Sequence, residues 1–203
     1  MTDKPASRPR RELLKTSTAV LGGIGVGAVA VPLLSSLSPS AEARAGGADV
    51  EVDISKLAAG ELMIARWRRM PVWILRRTPA MLDDLAQFKD RLKDPDSDIA
   101  SQQPAYARNP HRSIKPEILV VMGLCTHLGC SPGYKPEHGI REIGDWWKGG
   151  FFCPCHFSEY DLAGRVFKGR SPAPLNLPVP PHQYLSEQLL LIGNDEPVAN
   201  NQA

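Results

Sequence analysis

The sequence predicts an all-β protein: an antiparallel β-sandwich carrying a small metal-binding subdomain, with one helix of its own and a single transmembrane helix before it. Three observations carry this reading. Short apolar runs recur between glycine- and proline-containing turns, which is the rhythm of a strand-built domain. Only one stretch after the N-terminal segment has helical periodicity. All four cysteines and two of the five histidines gather in two short motifs, Cys125-Thr126-His127-Leu128-Gly129-Cys130 and Cys153-Pro154-Cys155-His156.

In chain order, residues 1–15 form a basic tail, with Lys4, Arg8, Arg10, Arg11 and Lys15 against Asp3 and Glu12. The net charge of the whole chain is only +2, which gives no reason to expect a nucleic-acid partner. Thr16 to Ala41 is an uncharged run, long enough for the roughly 20 residues that span a bilayer. Residues 16–37 are taken as an anchor, with a cleaved export signal as the competing reading. Arg10-Arg11-Glu12-Leu13-Leu14-Lys15 resembles a twin-arginine export signal, a route for proteins already folded around a cofactor. Basic residues before the span place the N-terminus in the cytoplasm and the remainder outside.

Residues 38–49 are small, polar and rich in alanine and glycine, the composition of a linker. The head is expected over 50–193, followed by a tail at 194–203. Val50 to Ile54, Met63 to Trp67 and Pro71 to Leu75 read as strands, and the arginines around them, Arg66, Arg68, Arg69, Arg76 and Arg77, as exposed strand positions. Thr78 is an N-cap with Pro79 at the first helical position. Met81, Leu82, Leu85, Phe88 and Leu92 then predict an amphipathic helix of about four turns, ending before Pro95. Residues 94–116 are proline-interrupted and polar, a long surface excursion in which His111 is solvated. Ile118 to Met122 and Gly150 to Cys153 are strands that deliver the two motifs. The stretch between the motifs, from Gly133 to Gly149, is loop-like, with Trp146 and Trp147 packing. Tyr160 to Phe167 is a hairpin turning at Ala163-Gly164, and Gln188 to Ile192 a closing strand.

Thiolate and imidazole are the strong side-chain ligands for iron and zinc, and here they recur as Cys-x-His and Cys-x-x-His. Structural zinc needs four ligands, not six, and plain disulfides do not explain a histidine beside a cysteine in both loops. Two Cys and two His with a cysteine pair to spare suit a 2Fe-2S centre in which two cysteines hold one iron and two histidines the other.

CTHLGC followed by CPCH resembles the two cluster-binding boxes of the Rieske iron-sulfur subunits of bacterial cytochrome bc1 complexes, and the likeness extends from the export signal to the last strand. It implies a Rieske-type sandwich whose cluster-binding part spans about 118–178. It makes Cys125 and Cys153 ligands of the inner iron, His127 and His156 ligands of the outer iron, and Cys130–Cys155 a disulfide. It implies that the Ser158 and Tyr160 hydroxyls donate to sulfur, and that Ser171 to Pro178, with Pro172, covers the cluster. By the same resemblance His156 meets ubiquinol and accepts its proton, while Leu128 and Gly129 help the tip dock on cytochrome b. Cytochrome c1 receives the electron, all within a dimeric complex of the inner membrane with the head in the periplasm. The rival reading is a soluble periplasmic Rieske ferredoxin. One residue departs from the family: Phe157 stands where glycine is usual, which places the local backbone in question because glycine tolerates positive φ. His138 matches no ligand of the family.

Overall fold

The computed structural model describes residues 8–38, 40 and 47–195. The chain divides into two compact units, Met1–Ala45 and Gly46–Ala203. Most of the expected linker and nearly all of the C-terminal tail lie outside the described residues.

Among its described residues the first unit holds one helix, α1 (Arg8–Ser36), with mean hydropathy 1.9 over its most apolar window, long and apolar enough to cross a bilayer. It starts within the basic tail, so Arg10 and Arg11 lie in its first turn. Pro32 sits inside it near the C-terminal end, and the Ser35 and Ser36 hydroxyls donate to the Pro32 and Leu33 carbonyls.

The second unit holds strands β1 (Val50–Asp53), β2 (Leu62–Trp67), β3 (Met70–Arg76), β4 (Ile118–Met122), β5 (Gly133–Lys135), β6 (Gly150–Cys153), β7 (Ser158–Tyr160), β8 (His182–Ser186) and β9 (Leu189–Ile192). They form three antiparallel sheets of order β1-β9-β8, β2-β3-β4 and β5-β6-β7. The central sheet is apolar on both faces. Val72, Ile74, Ile118, Val120 and Met122 pack with Ile54, Leu57, Leu190 and Ile192 on one side. Trp73, Leu75, Leu119 and Val121 pack with Cys125, Phe151, Cys153, Tyr160 and Leu177 on the other. Burial on both faces is why Ile118 to Met122 is apolar without alternation. The β2–β3 turn is two residues, Arg68 and Arg69, both at positive φ as a tight hairpin requires.

Four expectations need correction. The predicted four-turn helix is a shorter α2 (Pro79–Leu85), capped by Thr78 as expected, followed by a 3₁₀ segment over Ala86–Arg91. The Leu85 carbonyl, which a continuing α-helix would have used, instead accepts from Arg165 Nη2 at 2.9 Å. The excursion at 94–116 is packed into the head: Ser97, Gln102, Gln103, Ala107, Arg112 and Ser113 are buried. Arg112 has no exposed surface and donates to the carbonyls of Gln102, Ala163, Gly164 and Leu177 and to Gln103 Oε1. His111 is half-buried, and its imidazole is held below its ordinary pKa by burial and by the charges of Arg77 and Arg165. Arg77, expected on the surface, is buried and donates to the His111 and Leu162 carbonyls and to Ser113 Oγ. The stretch expected as a loop also contributes β5, while Trp146 and Trp147 pack against Phe88 and Phe167 as expected. Tyr160 bridges Val166 around a turn in which Gly164 takes φ 70°, so the predicted hairpin is present.

Candidate metal centre

The two motifs leave their strands through the same kind of turn. After β4, Gly123 admits the chain past Trp73, whose ring would collide with any Cβ at that position. Cys125 then opens a turn in which its carbonyl accepts from Gly129 N at 2.9 Å. After β6, the Cys153 carbonyl accepts from Phe157 N, also at 2.9 Å. The fifth residue of each turn is left-handed: Gly129 at φ 79° and Phe157 at φ 63°. The glycine-type backbone is thus kept without glycine, at a cost of about 1–2 kcal/mol for a side chain in that region.

These turns bring six side chains together. Cys130 and Cys155 form a disulfide with Cα atoms 6.7 Å apart. Cys125 and Cys153 are free thiols and buried. The rings of His127 and His156 meet edge to face with centroids 4.8 Å apart, His127 half-buried and His156 exposed. The sulfurs of Cys130, Cys153 and Cys155 lie within 4.8 Å of one another, but two of them are bonded together and have no thiolate to offer. The donor set available to a metal is therefore Cys125, Cys153, His127 and His156, soft on its buried side and imidazole on its exposed side. His127 Nδ1 is buried without a hydrogen-bond partner, an orphan that a metal–nitrogen bond would satisfy. The set fits a two-iron cluster.

Tyr160, buried, places its hydroxyl 3.2 Å from Cys125 Sγ and accepts the Thr126 N–H at 3.1 Å. Ser158 Oγ, also buried, accepts the Ala173 N–H at 3.3 Å and lies near enough to the Cys125 thiol to lower its pKa. Burial opposes ionisation of Cys125, but hydrogen bonds from Tyr160, the His127 backbone and Ser158 outweigh it and hold the thiol below its ordinary pKa. Burial pushes Cys153 up, as does the neighbouring Cys125.

The proline-rich segment is tied down at several points. Ser171 Oγ accepts the Glu159 N–H at 2.9 Å, Thr126 Oγ1 donates to the Leu175 carbonyl at 2.6 Å, and Arg112 to that of Leu177 at 2.7 Å. Pro172 itself is exposed, and its neighbours Ser171 and Ala173 make the bonds to β7. Leu128 and Gly129 are exposed at the tip of the first turn, and His138 pairs with Asp84 at 3.2 Å, outside the donor set. The reading of the sequence missed Thr126, whose place between two ligands was a usable signal, and Arg112, for which there was none.

Two family models match: the Ubiquitinol-cytochrome C reductase Fe-S subunit TAT signal over residues 1–40 and the Rieske [2Fe-2S] domain over residues 100–181. Among curated relatives, the ubiquinol-cytochrome c reductase iron-sulfur subunit of Allochromatium vinosum is 52% identical over 195 residues, 96% of this chain and 93% of that one. The proteins of the same name from Blastochloris viridis and Bradyrhizobium diazoefficiens are 40% and 39% identical, over 93% and 95% of this chain and 94% and 99% of theirs. Identity at this level along nearly the full length of both chains, over a donor set suited to a Rieske 2Fe-2S cluster, places the chain in the family of ubiquinol-cytochrome c reductase iron-sulfur subunits.

Proposed function

We propose that this chain is the one-electron acceptor of a membrane-bound ubiquinol:cytochrome c reductase, taking an electron from ubiquinol at cytochrome b and delivering it to cytochrome c1. The observation that carries the proposal is the split donor set: two buried thiols backed by hydroxyls, against two imidazoles at the surface. A 2Fe-2S cluster bound there supplies a one-electron acceptor whose potential is raised by having two imidazoles in place of two thiolates. Cys125, Cys153, His127 and His156 would hold it, the thiolates on the buried side and the imidazoles on the exposed side. Tyr160 and Ser158 donate toward Cys125 and favour the more negative, reduced state. His156 is exposed, so an imidazole nitrogen not engaged by the metal would be free to accept a hydroquinone proton.

The basic residues at the start of α1 favour a cytoplasmic N-terminus, with α1 anchored in the bacterial inner membrane and the head periplasmic, within a dimeric complex. The alanine- and glycine-rich segment 38–49 tethers the head while it travels between the two cytochromes. Absorption and EPR spectra of the purified protein in both redox states test the cluster: a Rieske signal is expected, and a colourless zinc protein would overturn the reading. Loss of quinol oxidation by the assembled complex in His156→Ala, with cytochromes b and c1 intact, is the expected functional result. Wild-type turnover would remove His156 from its role.

A further inference from the structure

We infer that Phe157 is a specificity-determining contact of the cluster-bearing tip, its ring placed to pack on the apolar wall of the site where the hydroquinone meets His156. The inference rests on the function proposed above. Phe157 occupies the turn position that Gly129 fills in the other loop, and it does so at φ 63°, where a side chain is strained. Strain of this kind persists only where the surroundings enforce it, and it concentrates at functional sites.

The core does not repay that strain. The Phe157 side chain is 55% exposed, and among the described residues its ring contact is with Phe152, centroids 6.0 Å apart and tilted by 34°. Phe152 is buried, so it braces the ring without covering it. From the opposite loop Leu128 projects 71% exposed, so each imidazole-bearing loop presents one large apolar side chain. Residues 124–133 and 149–158 contain no Asp, Glu, Lys or Arg. A surface of two imidazoles, a leucine and a phenylalanine, without carboxylate, ammonium or guanidinium, fits an uncharged aromatic hydroquinone in an apolar pocket. A hydroquinone that passes its proton to His156 must come within hydrogen-bond reach of it. The residue next in the chain, already projecting from the same turn, is then covered by whatever surrounds that hydroquinone.

Covering the exposed half of an aromatic side chain removes on the order of 100 Å² from water. At the usual coefficient for apolar burial this corresponds to roughly a fiftyfold difference in the docked population, of which about tenfold remains once the cost of ordering the ring on docking is set against it. The test uses the assembled complex in membranes. In Phe157→Gly, and in Phe157→Asn, which also tolerates a left-handed backbone but is polar, kcat/KM for ubiquinol should fall about tenfold, with KM raised. Phe157→Leu should retain most of the wild-type value. The midpoint potential and EPR spectrum of the purified protein should be unchanged in all three, since no hydrogen bond to Cys125 is altered. Equal kcat/KM in wild type and both glycine and asparagine variants would overturn the inference, as would a shifted potential that accounts for the loss. A wild-type complex that fails to oxidise ubiquinol at all would instead overturn the proposed function, and this inference with it.

Discussion

Removing one oxygen atom, in Tyr160→Phe, tests how the protein sets its potential. The ring of Tyr160 is fully buried and would be kept by phenylalanine, so the change isolates the hydroxyl 3.2 Å from Cys125 Sγ. A hydrogen bond to a charged group contributes about 1.5–3 kcal/mol. As a ligand of the proposed cluster Cys125 would be a thiolate in both redox states, so only the strengthening on reduction would enter the potential, about 1–2 kcal/mol. For a one-electron couple, 59 mV corresponds to a tenfold change in equilibrium constant, about 1.4 kcal/mol, so the midpoint should fall by about 40–90 mV. The sign is fixed because the donor favours the reduced, more negative centre. Ser158→Ala should lower the potential as well, and the double variant should depart from additivity because both hydroxyls act on the same sulfur. The assay is an EPR-monitored redox titration of each purified protein. Unchanged midpoints in both single variants, with intact spectra, would show that these hydroxyls do not act on the centre.

Replacing Cys130 and Cys155 together by alanine, which opens a cross-link of sequence separation 25, should cost about 3–4 kcal/mol by the loop-entropy estimate. Thermal unfolding measures it, and an unchanged midpoint would refute the stabilising role. His182 is buried, with its pKa held below the ordinary value by burial despite the Pro180 carbonyl near its ring. At neutral pH both folded and unfolded chains are neutral there. Below about pH 6.5 only the unfolded chain takes up the proton, so stability should fall as pH drops from there toward the folded-state pKa. His182→Gln should flatten that dependence in unfolding scans between pH 7 and 5, and parallel pH profiles in the two proteins would count against it. Proline substitutions across residues 43–48 should slow quinol oxidation by the assembled complex without changing the spectrum, because a dozen-residue random coil spans about 20 Å. Wild-type turnover would reject a moving head.

What was legible in the sequence was whatever is encoded locally. Thr78 and Pro79 announce a helix start because the cap bond and the fixed φ act within one turn, and the structure places the cap bond from Met81 N to Thr78 Oγ1 at 3.2 Å. The Cys and His spacing was legible because ligands on two short turns leave few arrangements. What depends on distant partners was not. The α-helix stops after Leu85 beside a guanidinium from residue 165, and the excursion is buried because Arg112 bonds to carbonyls 51 to 65 residues away. β8 was invisible because His182-Gln183-Tyr184-Leu185-Ser186 carries no apolar alternation and is defined only by pairing with β9. The backbone at Phe157 could be questioned from sequence but not decided, since phenylalanine disfavours the conformation it adopts.

The tip carries a physical conflict that its construction resolves. To exchange electrons with a partner it must stay exposed, and His156, Phe157, Leu128 and Cys155 are all at the surface. Exposed turns gain little from apolar burial, the main source of stability elsewhere in the head. The turns must nonetheless hold four ligands in place, because a displaced ligand changes both potential and affinity for metal. The protein substitutes interactions that do not require burial of the tip. A disulfide joins the two turns, repeated i-to-i+4 hydrogen bonds fix each one, and Thr126, Ser158 and Ser171 fasten them to the proline-rich segment. That segment is in turn anchored from behind by Arg112 and by Lys93, whose ammonium donates to the Ser171 and Ala173 carbonyls. Arg112, buried beneath the turns, and Lys93, just before the excursion begins, therefore do the holding that hydrophobic packing cannot do at an exposed tip.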